Sequence, residues 1–337
     1  MQGRTLAGTG MALPRVILGC GSFGGAGSTR ALWGSGADQA EAYRILDQAF
    51  ELGITCLDTA DAYGGGRSEE FIGGWLKTKS PADRARVLIA TKVGQPVGPG
   101  PRDRGLSAAH IARQIDVSLS RLGVDAVAMY LIHHPDPDTP LAETIDALDQ
   151  VVRAGKAGHL GICNVTTAQL RATVELARAN GCAPVEWVQN PYNLLQREDE
   201  AHLLPYAVGT RLGYTAHSPL AGGWLTGKYQ STNSYPADSR MGQRPERYES
   251  FVDRSLPNRI IALRAHAEER GCTLPALALA WLLCAPAVTA PIVGPRRSEH
   301  LAVVAEALTL PLSEEERNQL AHDVAPHSPK PSAQEHR

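Results

Sequence analysis

The strongest constraint on this chain is an alternation. Short apolar runs rich in β-branched residues recur along it: RVILG, ITCLDT, RVLIATK, AVAMYLIH, AGHLGIC, VEWVQN, GYTAHS and VTAPIVG, about eight strand candidates in all. Between most of them lies a segment with helical spacing, such as ADQAEAYRILDQAFELG, SAAHIARQIDVSLSRLG, PLAETIDALDQVVRAG and TAQLRATVELARANG. Strands joined through helices run parallel, and closure of about eight gives a (β/α)8 barrel, an α/β fold. A length of 337 residues would ordinarily suggest about two domains, yet barrels of this kind reach that size as one unit. The expectation is one barrel domain over residues 1–324 with long active-site loops, followed by a polar, proline-containing tail over 325–337.

Several helices carry their own end signals. Ser107 and Thr166 stand where an N-cap belongs, and Gly53, Gly123, Gly155 and Gly181 fall just past a last apolar turn, where a left-handed residue is needed. Three connections exceed the usual few residues: GGAGSTRALWGSG, QPVGPGPRDRG and AGGWLTGKYQSTNSYPADSRMGQRPERYES. The third follows the seventh strand candidate, a place suited to closing over a bound cofactor. Within it, Tyr235, Arg240, Arg244 and Tyr248 read as mobile surface.

Composition narrows the partners. The chain is 43% hydrophobic and 20% charged with a formal net charge of -2, so it offers no single-sign field to draw nucleic acid. No apolar run approaches membrane-spanning length and the N-terminus lacks a secretory pattern, which predicts a cytoplasmic protein with neither membrane nor nucleic-acid partner. Cys20, Cys56, Cys163, Cys182, Cys272 and Cys284 are scattered without a C-x-x-C pair, arguing against a disulfide framework and a zinc site. His133 and His134 are adjacent, and neighbours on a strand point to opposite faces, so no metal is expected there. Nothing in the outer-helix faces singles out an oligomer surface.

A barrel's chemistry belongs at the C-terminal ends of its strands. Asp58 and Tyr63 follow the second strand candidate in LDTADAYGGGRSEE, Lys92 ends the third in IATKVG, and His133 ends the fourth in YLIHHPDPDTP. Converging on one mouth, a carboxylate, a phenol, an ammonium and an imidazole make a proton-transfer site. A phenol that gives a proton near neutrality needs its phenolate stabilised. An ammonium about 4 Å away at an effective dielectric near 20 contributes about 4 kcal/mol, roughly three pKa units. Asp58 would hold that ammonium, and a neutral His133 would orient a carbonyl oxygen.

These segments resemble the aldo-keto reductase superfamily, in the branch with bacterial general-stress reductases and potassium-channel β subunits. The resemblance rests on LDTADAYGGGRSEE, IATKVG, LIHHPDPDTPLAETIDAL, GKAGHLGICNVTTAQL, VQNPYNLLQRE and SPLAGGWLTGKY, in that order over most of the chain. It implies catalysis by Asp58, Tyr63, Lys92 and His133, with a hydride passing to the carbonyl carbon as Tyr63 protonates the oxygen. It implies that Asn164 and Gln189 bond a nicotinamide carboxamide beside Cys163, that His217 stacks under the ring, and that Ser218, Leu220, Gly222 and Lys228 follow the pyrophosphate. PIVGPRRSEHL resembles the segment that holds an adenosine 2'-phosphate, which assigns Gly294, Arg296, Arg297 and His300 to the cofactor and favours NADPH over NADH. No G-x-G-x-x-G follows the first strand candidate, consistent with a cofactor held without a Rossmann unit.

Three residues depart from the family pattern: Cys163 for a serine, His217 for a stacking tyrosine, and Val304 near a position that often holds an adenine-contacting asparagine. LGCGSFGG also replaces a common LGTMNFGG, which bears on the pocket floor around Gly21. Trp33, Tyr63, His133 and His134 are the candidate substrate contacts. The expected activity is reduction of a small or medium aldehyde, ketone or sugar carbonyl. The alternatives are an alcohol or sugar dehydrogenase running in reverse and an NADP-bound regulatory protein with little turnover.

Overall fold

The computed structural model describes residues 3–5 and 9–325. The expected tail lies outside the described residues except for its first position. A short antiparallel hairpin, β1 (Arg4–Thr5) and β2 (Ala12–Leu13), comes first. The strands β3 (Ile17–Gly19), β4 (Cys56–Asp58), β5 (Leu88–Val93), β6 (Val127–Ile132), β7 (Ala157–Cys163), β8 (Val185–Pro191), β9 (Gly213–His217) and β10 (Ala290–Val293) follow. They form a closed parallel barrel, in which β10 pairs with both β9 and β3, setting Ile292 opposite Ile17. All eight strand candidates from the sequence are thus strands.

Each strand delivers the chain to a helix on the outside. In order these are α1 (Gln39–Glu51), α2 (Arg67–Lys77), α3 (Pro81–Arg84), α4 (Ala108–Leu122), α5 (Leu141–Arg153), α6 (Thr167–Ala179) and α7 (Leu203–Gly209). The connection from β9 to β10 carries α8 (Arg240–Gln243), α9 (Leu256–Glu269) and α10 (Leu274–Leu283), and α11 (Leu301–Thr309) and α12 (Glu314–Asp323) end the described chain. Thr166 caps α6 in a reciprocal capping box with Gln169, whereas Ser107 holds the N-cap position of α4 without a side-chain hydrogen bond. Gly53, Gly123, Gly155 and Gly181 all have positive φ, as their positions after helix ends require. Every residue of α10 except Pro275 is buried, which is why its sequence lacks a polar stripe.

The pleat sorts the core into two layers. Ile17, Cys56, Ala90, Met129, Leu131, Cys163, Trp187 and Ile292 fill the barrel interior, while Leu18, Leu57, Ile89, Tyr130, Ile132 and Val188 face the helices. This period of two fixes what comes next on each strand. Asp58 follows Cys56 by two, Lys92 follows Ala90, His133 follows Leu131, and Gln189 follows Trp187. All four therefore point inward at the end where the strands finish.

The hairpin closes the opposite end. Met11 and Leu13 join the interior cluster beside Cys56, Leu88 and Ala128, near the strand starts. The Arg4 guanidinium bonds the carbonyls of Leu283 (3.1 Å), Ala285 (2.8 Å) and Val288, where α10 runs into β10. Among the described residues, no helix is long and apolar enough to cross a membrane.

Candidate active site

At the C-terminal ends of the strands lies a cleft of about 550 Å³, and most of the side chains singled out in the sequence meet there. Lys92 lies under its floor, 0% exposed, with Nζ donating to Asp58 Oδ1 (2.5 Å) and the Thr59 carbonyl (2.9 Å). Its third close oxygen is the Tyr63 hydroxyl at 3.5 Å. That hydroxyl is also 3.5 Å from His133 Nε2, and the two rings meet edge to face. Gln189 Nε2 donates to Asp58 Oδ2 (2.8 Å), so both carboxylate oxygens are bound.

Burial sets the charge states. It works against the Lys92 ammonium, but Asp58 and then Tyr63 outweigh it and hold Lys92 above its ordinary value. Burial likewise pushes the Tyr63 phenol up, with Lys92 pulling it down and Asp58 pushing back. The expectation that one ammonium brings this phenol down by about three units therefore left out the larger opposing cost of burying a phenolate. Tyr63 carries its proton at neutral pH. Burial first, and then Lys92, drive the His133 imidazole well below its usual range, so it is neutral. Its Nδ1 is buried without a hydrogen-bond partner among the described residues.

Beside this group, Asn164 adopts φ 57°, and its Nδ2 donates to the His133 carbonyl (2.8 Å) while its Oδ1 lies 2.9 Å from His217 Nε2. Burial and then Lys92 lower His217 to about 3, so that imidazole is neutral too. Beyond it the chain turns through positive φ at Ser218 (55°), Ala221 (47°), Gly222 (65°) and Gly223 (102°), a concave backbone of the kind that receives oxyanions. Gly21 flanks the Tyr63 ring, and Leu220, Lys228, Gly294, Arg296 and His300 line the rest of the cleft.

Several expectations change. His133 and His134 do not face opposite ways: β6 ends at Ile132, the alternation stops with it, and the two rings stack at 5.4 Å on the cleft wall. Trp33 lies outside the cleft lining, with its ring packed over Gly65. Cys163 is wholly buried in the barrel interior, because β7 continues its pleat to that residue. Arg297 is exposed outside the cleft, and Arg296 donates to Gln243 Oε1 (3.0 Å) and the Asp238 carbonyl, tying α8 to the turn after β10. Val304, on α11, faces inward and is buried in the core.

Parts of the long connection after β9, read from the sequence as surface, are packed against the cleft. Arg244 and Tyr248 are buried and line the cleft with Arg240 and Arg247, while Tyr235 packs against Trp224 and Tyr229. Gly222 is the signal that was available in the sequence. A Cβ there would come within 2.9 Å of the Tyr248 ring, so the glycine marks where the lid rests on the turn. Lys228, Arg240, Arg244, Arg247 and Arg296 thus face a cleft whose lining carboxylate, Asp58, is already paired. Such a set of cations suits anionic ligands, a dinucleotide's phosphates among them.

An inward tyrosine, lysine, aspartate and histidine at the mouth of a parallel barrel define an oxidoreductase-like site, and comparison with known proteins gives the family. The aldo/keto reductase family model matches residues 15–322. L-glyceraldehyde 3-phosphate reductase of Escherichia coli (strain K12) is 34% identical, over 96% of this chain and 93% of its own. The uncharacterized oxidoreductase YrpG of Bacillus subtilis (strain 168) is 34% identical, over 94% and 93%. A probable voltage-gated potassium channel subunit beta of Arabidopsis thaliana is 34% identical, over 80% and 82%. The chain belongs to the aldo/keto reductase family, whose general chemistry is carbonyl reduction with a nicotinamide cofactor.

Proposed function

We propose that this protein is an NADPH-dependent reductase of small or medium aldehydes, ketones or sugar carbonyls, with Tyr63 as the general acid. One observation carries the reading: the Tyr63 hydroxyl sits 3.5 Å from both Lys92 Nζ and His133 Nε2 at the floor of the cleft. A reduced nicotinamide, when bound, supplies a hydride to the carbonyl carbon. The residues of this chain manage the oxygen.

Neutral His133 directs its Nε2 toward the same point as the Tyr63 hydroxyl, so an oxygen placed between them is polarised from two sides. As the carbon gains the hydride pair, the C=O π electrons move onto oxygen, which takes the Tyr63 proton, leaving an alcohol and a phenolate. Lys92 stabilises that phenolate, and Asp58, itself held by Gln189, fixes the ammonium. Asn164, Gln189 and His217 line the cleft beside Tyr63 and would hold the nicotinamide end, and the Ser218–Gly223 turn with Lys228 would hold the pyrophosphate. Arg296 and His300 at the far end support NADPH over NADH.

The test is Tyr63→Phe, a substitution that keeps the ring and removes the proton. Carbonyl-dependent NADPH oxidation should fall by about 10² to 10⁴ while NADPH still quenches intrinsic fluorescence. Full activity in that variant would refute the assignment of the acid.

A further inference from the structure

The lid brings a buried cation to the cleft, Arg244, that no anion balances among the described residues. Arg244 is only 5% exposed, yet its guanidinium has no hydrogen bond or ion pair among the described residues, and its Nε is buried without a partner. Burial, then the neighbouring Arg240 and Arg247, push it down to about 10. A buried, unpaired guanidinium is costly, and such groups ordinarily find an anion.

Its position says which end of the cleft that anion enters. Arg244 Nη1 lies over Gly27, close enough that a Cβ there would meet it at 2.6 Å. The Gly27 carbonyl accepts from the Gly64 amide (3.1 Å), next to Tyr63, and the Gly27 amide donates to Gly21, the residue against the Tyr63 ring. The guanidinium therefore sits beside the loop that carries the phenol. Arg247 stands exposed at the rim and acts electrostatically on Tyr63, His133 and His134. Arg240, which neighbours Arg244, turns its own guanidinium to the Gly294 carbonyl (3.4 Å) after β10, and Arg296 is held by Gln243 and the Asp238 carbonyl. The cofactor's phosphates have their own cations there and at Lys228.

We propose that the cleft selects carbonyl substrates bearing an oxyanion, a carboxylate or phosphate, away from the reacting carbon, received by Arg244 with Arg247 completing the site. This rests on the reductase reading above. A guanidinium offers a planar fork of donors to either anion, and partial exclusion of water makes the contact stronger than at an open surface.

The experiment compares matched pairs at fixed ionic strength: succinic semialdehyde against butanal, and glyceraldehyde 3-phosphate against glyceraldehyde. The wild-type protein should favour the anionic member of at least one pair by tenfold or more in kcat/KM, and the favoured pair tells carboxylate from phosphate. In Arg244→Gln that ratio should fall by about 10- to 100-fold, mainly through KM, with a smaller fall in Arg247→Gln. The NADPH Kd of each variant is measured alongside. A ratio unchanged by Arg244→Gln overturns the proposal, as does a loss of NADPH affinity as large as the loss in the ratio, which would give the guanidinium to the cofactor. Thermal protection by succinate and by glycerol 3-phosphate is read in parallel and needs no turnover. Protection lost in Arg244→Gln, with no pair reduced, would sink the reductase reading and keep the anion site; no protection and no anionic preference would sink the site alone.

Discussion

Tyr63 and the two imidazoles around it make a prediction at the scale of single residues. Reduction needs the protonated phenol, whose pKa burial holds above its ordinary value, so activity is lost as pH rises through that value. His133 and His217 are held neutral by burial and Lys92, His217 down to about 3, so neither titrates in the range where free histidine does. The profile of kcat/KM for an uncharged aldehyde should be flat from about pH 5 to pH 9 and fall above it. A falling limb with its midpoint near 6.5 would show that an imidazole charge controls the reaction. The same residues were the most legible part of the site in the sequence. Asp58, Lys92 and Gln189 each lie two residues beyond an inward apolar residue, and that parity can be counted from the letters alone. The same rule misplaced His134, because no letter shows that β6 stops at Ile132.

At the scale of elements, strands and most helix ends followed from periodicity and from glycines after apolar turns. The lid did not. Its contacts are formed by residues far apart in sequence, Tyr248 on Gly222 and Arg244 on Gly27, and no local pattern distinguishes a packed arginine from a solvated one. The β1–β2 hairpin was missed for a related reason, since two-residue strands carry too few side chains to show a period. Gly222 makes the lid testable. Its φ is 65°, and a methyl there would meet the Tyr248 ring, so Gly222→Ala is strained twice over. We expect a loss of stability of about 1 kcal/mol or more, faster proteolysis between residues 228 and 252, and a higher KM for NADPH. Unchanged proteolysis and KM would mean that the lid does not depend on this contact.

The molecule as a whole has a formal net charge of -2, yet five cationic side chains face one cleft. Charge is therefore segregated, and an anionic cofactor approaching from solution meets a local field opposite to the net one. Raising the salt from about 0.05 M to about 0.5 M should slow NADPH association severalfold, because the screening length shrinks about threefold. Stopped-flow fluorescence would read this directly, and an association rate insensitive to salt would mean that the arginines are already neutralised.

The barrel's seam joins its two most distant strands: Ile17 opposite Ile292, with Arg4 clasping the carbonyls just before β10. A growing polypeptide on the ribosome therefore cannot close its sheet until residue 293 has cleared the exit tunnel. Until then β3 and β9 each present a free parallel edge, and the sites that β10 will complete, at Gly294 and Arg296, do not exist. The nascent chain is thus committed to a long exposed interval, and the cleft is completed in one step once β10 has emerged rather than by degrees.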